Sequence, residues 1–184
     1  MAKNRALFLD RDGVINRDDG YVCRKQDFHF IEGIFELTAA AVARGFLPIV
    51  VTNQSGIGRG YYGERQFNNL MRWVKRQFRR RRAPLTAVYF CPCHPEHGIG
   101  RYRRDSFLRK PHPGMLLKAA ADFRLDLGRS VLVGDAITDM EAGIAAGVGR
   151  LFHLRHGDTA LPLTARGALR EVRRLEDIIP ALDF

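Results

Sequence analysis

Several things are scarce in this chain, and each scarcity excludes something. Only three of its 184 residues are cysteine, one of them isolated at Cys23, so a disulfide framework is excluded. Cys91 and Cys93 are too close in sequence for easy bridging and read as reduced thiols or metal ligands. No stretch approaches the roughly 20 apolar residues of a membrane helix. The basic N-terminus carries only a short apolar run, cut at Asp10; no signal peptide is expected, and a cytoplasmic location follows as the default. Linkers, low-complexity tracts and internal repeats are missing too, so residues 1–184 are expected to form one domain, burying roughly 70% of the unfolded surface. Acidic residues fall short of basic ones, 20 against 30, for a formal charge of +10.

Such a charge raises the question of a nucleic-acid partner. Much of the excess lies in one segment, where Arg72, Lys75, Arg76, Arg79 and Arg80 recur at helical spacing opposite Phe67, Leu70, Met71, Val74 and Phe78. That is an amphipathic helix with a solvated basic face. Arg81 and Arg82 end it where cations suit the helix dipole. Zinc-finger spacings and interleaved aromatics are lacking, so nucleic acid is not the expected partner.

Strand and helix patterns alternate along the chain. Strands are expected at Arg5–Asp10, Leu47–Thr52, Leu85–Cys91, Ser130–Gly134 and Arg150–Leu154. Helices are expected at Gly33–Arg44, Glu64–Arg81, Gly114–Phe123, Thr138–Ala146 and near Leu175–Leu182. This order specifies an α/β fold, a parallel sheet with helices on both faces. Three long connections, Arg11–Glu32, Asn53–Gly63 and Pro92–Pro113, follow the carboxyl ends of expected strands. They would crowd one rim, where a substrate pocket belongs.

Chemistry gathers at the same ends. The apolar run Ala6–Leu9 stops at Asp10 and Asp12, and Gly13 allows a sharp turn. At reference acidity Asp10 is ionised at neutral pH and serves as a nucleophile without an activating base. It needs an electrophile whose negative charge is masked, as phosphorus is beside a divalent cation and a lysine. The second strand ends in Thr52-Asn53-Gln54-Ser55, which offers hydroxyl, amide and backbone donors. The third leads to Arg109-Lys110-Pro111. The fourth ends in Gly134-Asp135, with Asp139 a helical turn further on. Any of these alone could be an ordinary helix cap or an exposed lysine. Four in order are hard to read that way.

In this order the motifs resemble those of the haloacid dehalogenase (HAD) superfamily of phosphohydrolases over nearly the whole chain, which implies a Rossmann-like domain. By that resemblance Asp10 attacks phosphorus, and Asp12 protonates the leaving oxygen and then activates water. Thr52 and Lys110 bind the transferring group, and Asp10, the Asp12 carbonyl and Asp135 hold Mg²⁺. Asp139 is assigned outside the metal's direct ligands. No large insertion interrupts the motifs, so no separate cap domain is expected.

Within the superfamily, Phe8–Asn16, Asp19-Gly20-Tyr21, Thr52–Ile57, Cys91-Pro92 and Arg109–Met115 are similar to the heptose 1,7-bisphosphate phosphatases. These remove a 7-phosphate in lipopolysaccharide core synthesis. The implied partner is a small phosphorylated sugar, acted on by a monomer away from any membrane. Its contacts would be Asp18, Asp19, Gly20, Tyr21, Asn53, Gln54, Ser55 and Arg109. A guanidinium fork at Arg109 suits the second phosphate. Rival readings are a histidinol-phosphate phosphatase, a polynucleotide 3′-phosphatase, and a phospholigand-binding protein without catalysis.

Relatives commonly carry a zinc loop with a Cys-x-His pair and a later Cys-x-Cys pair. Here Cys91 and Cys93 stand at the first pair, but Ser106 and Leu108 occupy the second. Structural zinc wants four soft or imidazole ligands. Reduced thiols packing the loop are therefore expected, the alternative being a rearranged site completed by His94 and His97. Ala136 stands where relatives often have a lysine.

Overall fold

A computed structural model describes residues 3–157 and 169–183. The elements run β1 (Arg5–Leu9), α1 (Ile34–Ala43), β2 (Phe46–Asn53), α2 (Ser55–Gly58), α3 (Glu64–Arg80), β3 (Ala87–Cys91), α4 (Gly114–Phe123), β4 (Val131–Gly134), α5 (Ile137–Ala146), β5 (Arg150–Leu154) and β6 (Leu169–Val172). A 3-10 segment, Leu175–Leu182, follows. The six strands form one sheet in the order β3-β2-β1-β4-β5-β6, and every neighbouring pair is parallel.

Alternation along the central strands divides the core in two. Leu7, Leu9, Val50, Val131 and Val133 point to one face, where they meet α1, α3 and the C-terminal 3-10 segment. Ala6, Phe8, Ile49, Val51 and Leu132 point to the other, against α4 and α5. These strands are apolar throughout because both faces are covered. In α3 the buried residues are Phe67, Leu70, Met71, Val74 and Phe78, the stripe read from spacing. Each such side chain contributes about 1.5–3 kcal/mol on burial. Arg72, Arg76, Arg79 and Arg80 lie exposed on the opposite side.

Three elements differ from expectation, the first being the short helix α2 at Ser55–Gly58, inside the connection expected at Asn53–Gly63. Strand β6 lies at the sheet edge and carries exposed Arg170 and Glu171 between half-buried Leu169 and Val172. A short, charged edge strand leaves little apolar signal. The last helix is of the 3-10 type and contains Pro180, which removes a backbone donor. The chain folds back after α5 at Gly147, whose φ of 76° closes the helix in the left-handed conformation that glycine adopts without steric cost.

The order of strands fixes where a ligand belongs. β1 is flanked by β2 on one side and β4 on the other, so the connections leaving β1 and β4 diverge and open a crevice beyond their carboxyl ends.

Candidate active site

A cavity of about 420 Å³ occupies that crevice, and its wall includes Asp10, Asp12, Thr52, Lys110, Asp135 and Asp139. The strands deliver these groups directly. Asp10 follows β1 and donates its backbone N–H to Val133 of β4, 3.0 Å away. Thr52 lies near the end of β2, and Asp135 follows β4. Gly13 turns the chain after Asp12 with a φ of +81°, and a Cβ there would lie 1.9 Å from Asp135 Oδ2. Only glycine lets the first loop pass so close to the fourth.

Lys110 is the buried cation beside Asp10. Its Nζ lies 2.9 Å from Asp10 Oδ1 and 2.5 Å from Asp139 Oδ1, and it donates to the Val51 carbonyl at 3.0 Å. Burial alone would push its pKa down, but the two carboxylates outweigh burial and move it up. It stays charged. Asn53 fixes the lysine backbone from both sides, accepting from its N–H and donating to its carbonyl, each at 3.0 Å.

Asp10 receives the Arg11 N–H at 2.7 Å, also on Oδ1. Oδ2 has no hydrogen-bond partner among the described residues, so one oxygen of the carboxylate is left for chemistry. Burial foremost, opposed by Lys110 and reinforced by Asp139, raises the Asp10 pKa to about 7. Burial and then Asp10 and Asp139 raise Asp135 to about 8. The expectation that Asp10 ionises like a solvated carboxyl therefore needs correction: the protein alone does not compensate its charge.

What would compensate it is visible in the donor set. Oxygens of Asp10, Asp135 and Asp139 lie within 4.8 Å of one another, with a single ammonium among three carboxylates. Hard oxygen ligands in excess of local positive charge fit a divalent cation such as Mg²⁺. Asp139, assigned away from the metal on sequence grounds, stands in this cluster. Its other oxygen accepts from the Ala136 N–H at 3.1 Å, closing the first turn of α5. The Asp12 side chain is not in the cluster.

Asp12 faces the cavity from a cage of donors. Arg11 Nη2 lies 2.5 and 2.6 Å from its two oxygens, Asn16 Nδ2 lies 3.0 Å from Oδ1, and Gln54 Nε2 lies 3.1 Å from Oδ2. The same Gln54 nitrogen donates to Thr52 Oγ1 at 2.9 Å, which leaves the Thr52 hydroxyl proton free to donate into the cavity. Tyr62 donates to Gln54 Oε1 at 2.5 Å, and burial pushes that phenol up to about 12, so it remains a donor at neutral pH.

Of the expected substrate contacts, Asp18, Gly20, Tyr21, Asn53, Gln54 and Ser55 line the cavity, while Asp19 and Arg109 do not. Asp19 pairs at the surface with Arg17, 3.3 Å away. Arg109 donates to the Cys93 carbonyl at 3.1 Å. Asn53 and Gln54 spend their amides on Lys110, Asp12, Thr52 and Tyr62, so their first task is positioning. Sequence reasoning passed over Arg11, Asn16, Tyr62, His153 and His156. His153 Nε2 donates to the Asp135 carbonyl at 2.9 Å, and His156 Nε2 to the Gly13 carbonyl at 2.6 Å. Only Asn16, four residues after Asp12, carried a local signal.

The cysteines behave differently. Among the described residues Cys91, Cys93, His94 and His97 form no group of converging ligand atoms. Arg104 Nε lies 3.5 Å from the Cys93 sulfur, and burial raises the Cys91 pKa. Zinc has no support here.

Comparison with known proteins agrees with this geometry. A family model described as HAD-hydrolase-like matches residues 107–167. The chain is 58% identical over 180 residues to D-glycero-alpha-D-manno-heptose-1,7-bisphosphate 7-phosphatase of Burkholderia mallei, covering 98% of this chain and 94% of that one. It is 40% identical over 183 residues to D-glycero-beta-D-manno-heptose-1,7-bisphosphate 7-phosphatase of Escherichia coli K12, covering 99% and 96%. A crystal structure of D,D-heptose 1,7-bisphosphate phosphatase from B. bronchiseptica, complexed with magnesium and phosphate, superposes with a TM-score of 0.82 at 26% identity, covering 97% of each chain. Fold and site thus define a HAD-like hydrolase. More narrowly, the chain belongs to the family of the heptose-1,7-bisphosphate 7-phosphatases. No helix among the described residues is long and apolar enough to cross a membrane.

Proposed function

We propose that this chain hydrolyses the 7-phosphate ester of D-glycero-D-manno-heptose 1,7-bisphosphate in the cytoplasm, for lipopolysaccharide core synthesis, through a phosphoryl group carried on Asp10. The observation that carries the reading is the pairing of Asp10 with buried Lys110: Oδ1 is held by the ammonium, and Oδ2 is left to attack. Magnesium held by Asp10, Asp135 and the Asp12 carbonyl would mask phosphoryl charge and keep Asp10 ionised near neutral pH. Asp10 Oδ2 forms a bond to phosphorus as the bond to the sugar oxygen breaks. Lys110 and the Thr52 hydroxyl bind the equatorial oxygens, and Asp12 gives the departing oxygen its proton. Water then attacks the phosphorus of the aspartyl-phosphate, Asp12 takes a proton from that water, and phosphate leaves with Asp10 restored. Splitting the displacement this way uses one site twice.

The names of the relatives support the sugar bisphosphate over histidinol phosphate and over a silent binding protein, for which a catalytic constellation would be superfluous. Phosphate release with Mg²⁺ should be measured on both anomers of heptose 1,7-bisphosphate, because the two relatives are named for different ones. Histidinol phosphate and a 3′-phosphorylated oligonucleotide complete the panel. The heptose bisphosphate should give the highest specificity constant; preference for either other substrate would replace the proposal.

A further inference from the structure

We propose that Arg11 is the positioning residue for Asp12, holding that carboxylate so that its proton is exchanged only toward the cavity; this deepens, and rests on, the reading of Asp12 as the proton carrier. The Arg11 side chain is fully buried, and its guanidinium lies 5.7 Å from the ring centre of Phe67. Nη2 alone straddles both oxygens of Asp12, at 2.5 and 2.6 Å, while Nε and Nη1 are buried without a hydrogen-bond partner. A buried cation with two idle donors is a poor device for stability, since apolar residues of similar volume commonly serve a core as well or better. Its use is geometric. Arg11, Asn16 and Gln54 are all donors and place two hydrogen bonds on each oxygen of the Asp12 carboxylate. The group is thus packed behind by donors that cannot take its proton, and a proton reaches it only from the cavity that Asp12 lines, in place of one of those bonds. Tyr62 completes the support by holding the Gln54 oxygen, which keeps the amide nitrogen turned to Asp12. Lysine at position 11 would retain the charge but not the guanidinium geometry that seats Nη2 between the two oxygens.

The consequence depends on the leaving group. A sugar alkoxide needs a proton as it departs, whereas p-nitrophenolate does not. Proton donation by a placed acid is worth roughly 100- to 10,000-fold, and misplacement by about 1 Å costs on the order of 100-fold. The test compares kcat/KM for the heptose bisphosphate and for p-nitrophenyl phosphate in Arg11→Lys, Arg11→Met and, as the reference, Asp12→Asn. kcat/KM reports only the steps through departure of the leaving group. Arg11→Met should lose roughly 10- to 100-fold on the sugar ester and no more than about threefold on the aryl ester, with Arg11→Lys between it and wild type and inhibition by inorganic phosphate unchanged. The two rates are read on one sample, so partial unfolding cancels in their ratio, and Arg11→Lys serves if Arg11→Met does not fold. An equal loss on both esters, or none on either, overturns the proposal for Arg11. If Asp12→Asn itself fails to separate the two esters, the role of Asp12 is wrong instead.

Discussion

The ammonium of Lys110 lies 2.9 Å from Oδ1 of Asp10, with both side chains buried at the rim of a parallel sheet. Asp139 holds the same ammonium from the other side, at 2.5 Å, so the lysine cannot swing away from the nucleophile. Lys110→Met should lower kcat by roughly 100- to 1000-fold, as loss of a fixed charge at a transferring group does. Lys110→Arg should not restore it, because a planar fork does not fit where a point charge is seated. Steady-state kinetics on both variants check this, and near-normal turnover in Lys110→Met would remove the lysine from the reaction.

Asp10 and Asp135, raised to about 7 and about 8, tie metal binding to pH. An unfolded Asp titrates near 3.9, so between these values the metal-free native state binds more protons than the unfolded one. Its stability from these groups is complete below about pH 4 and is lost as pH rises through 7 and 8. Magnesium binds the ionised form and offsets that loss. Thermal unfolding with and without Mg²⁺ should therefore show a larger gain at pH 8.5 than at pH 5.5. An equal gain at the two values would separate the cation from these carboxylates.

Gly13→Ala should weaken Mg²⁺ binding and destabilise the protein. The new methyl group meets the Asp135 carboxylate, and φ is +81°, a conformation that alanine enters only with strain. Calorimetric titration with Mg²⁺ is the check; wild-type affinity would show that the loop yields without moving Asp135.

Protein purified without chelator should contain little zinc. A metal-bound cysteine is a thiolate, and burial raises Cys91 away from that form. One equivalent of zinc per chain would contradict this reading of the loop.

The basic face of α3 should play no part in substrate binding. Its arginines lie on the solvent side of the helix, opposite the buried stripe. A nucleic-acid enzyme loses affinity steeply as salt rises, through counterion release. KM for the sugar bisphosphate should change little by comparison, and a steep slope would bring a polyanionic substrate back into consideration.

Much of this site was legible in the chain because strand ends are legible. A continuous apolar run that stops at a polar residue marks where β1, β2 and β4 end, and Asp10, Thr52 and Asp135 follow from those endings. Lys110 rested on its motif alone. The cage around Asp12 was not legible: Tyr62 reaches it through Gln54, and a hydrogen bond between side chains on different loops has no periodic trace. Arg11 looked like a spacer between two aspartates. Asp19 and Arg109 were placed by motif, and folding turned them to the surface and to the Cys93 carbonyl. Strand β6 escaped because its charged residues face solvent at the sheet edge.

The stereochemical course at phosphorus tests most directly whether Asp10 carries the phosphoryl group. A substrate made chiral at its 7-phosphorus with oxygen and sulfur isotopologues is hydrolysed in isotopic water, and the configuration of the released thiophosphate is determined. Two in-line displacements through Asp10 give net retention; inversion would mean that water attacks the ester directly and that Asp10 serves only the metal.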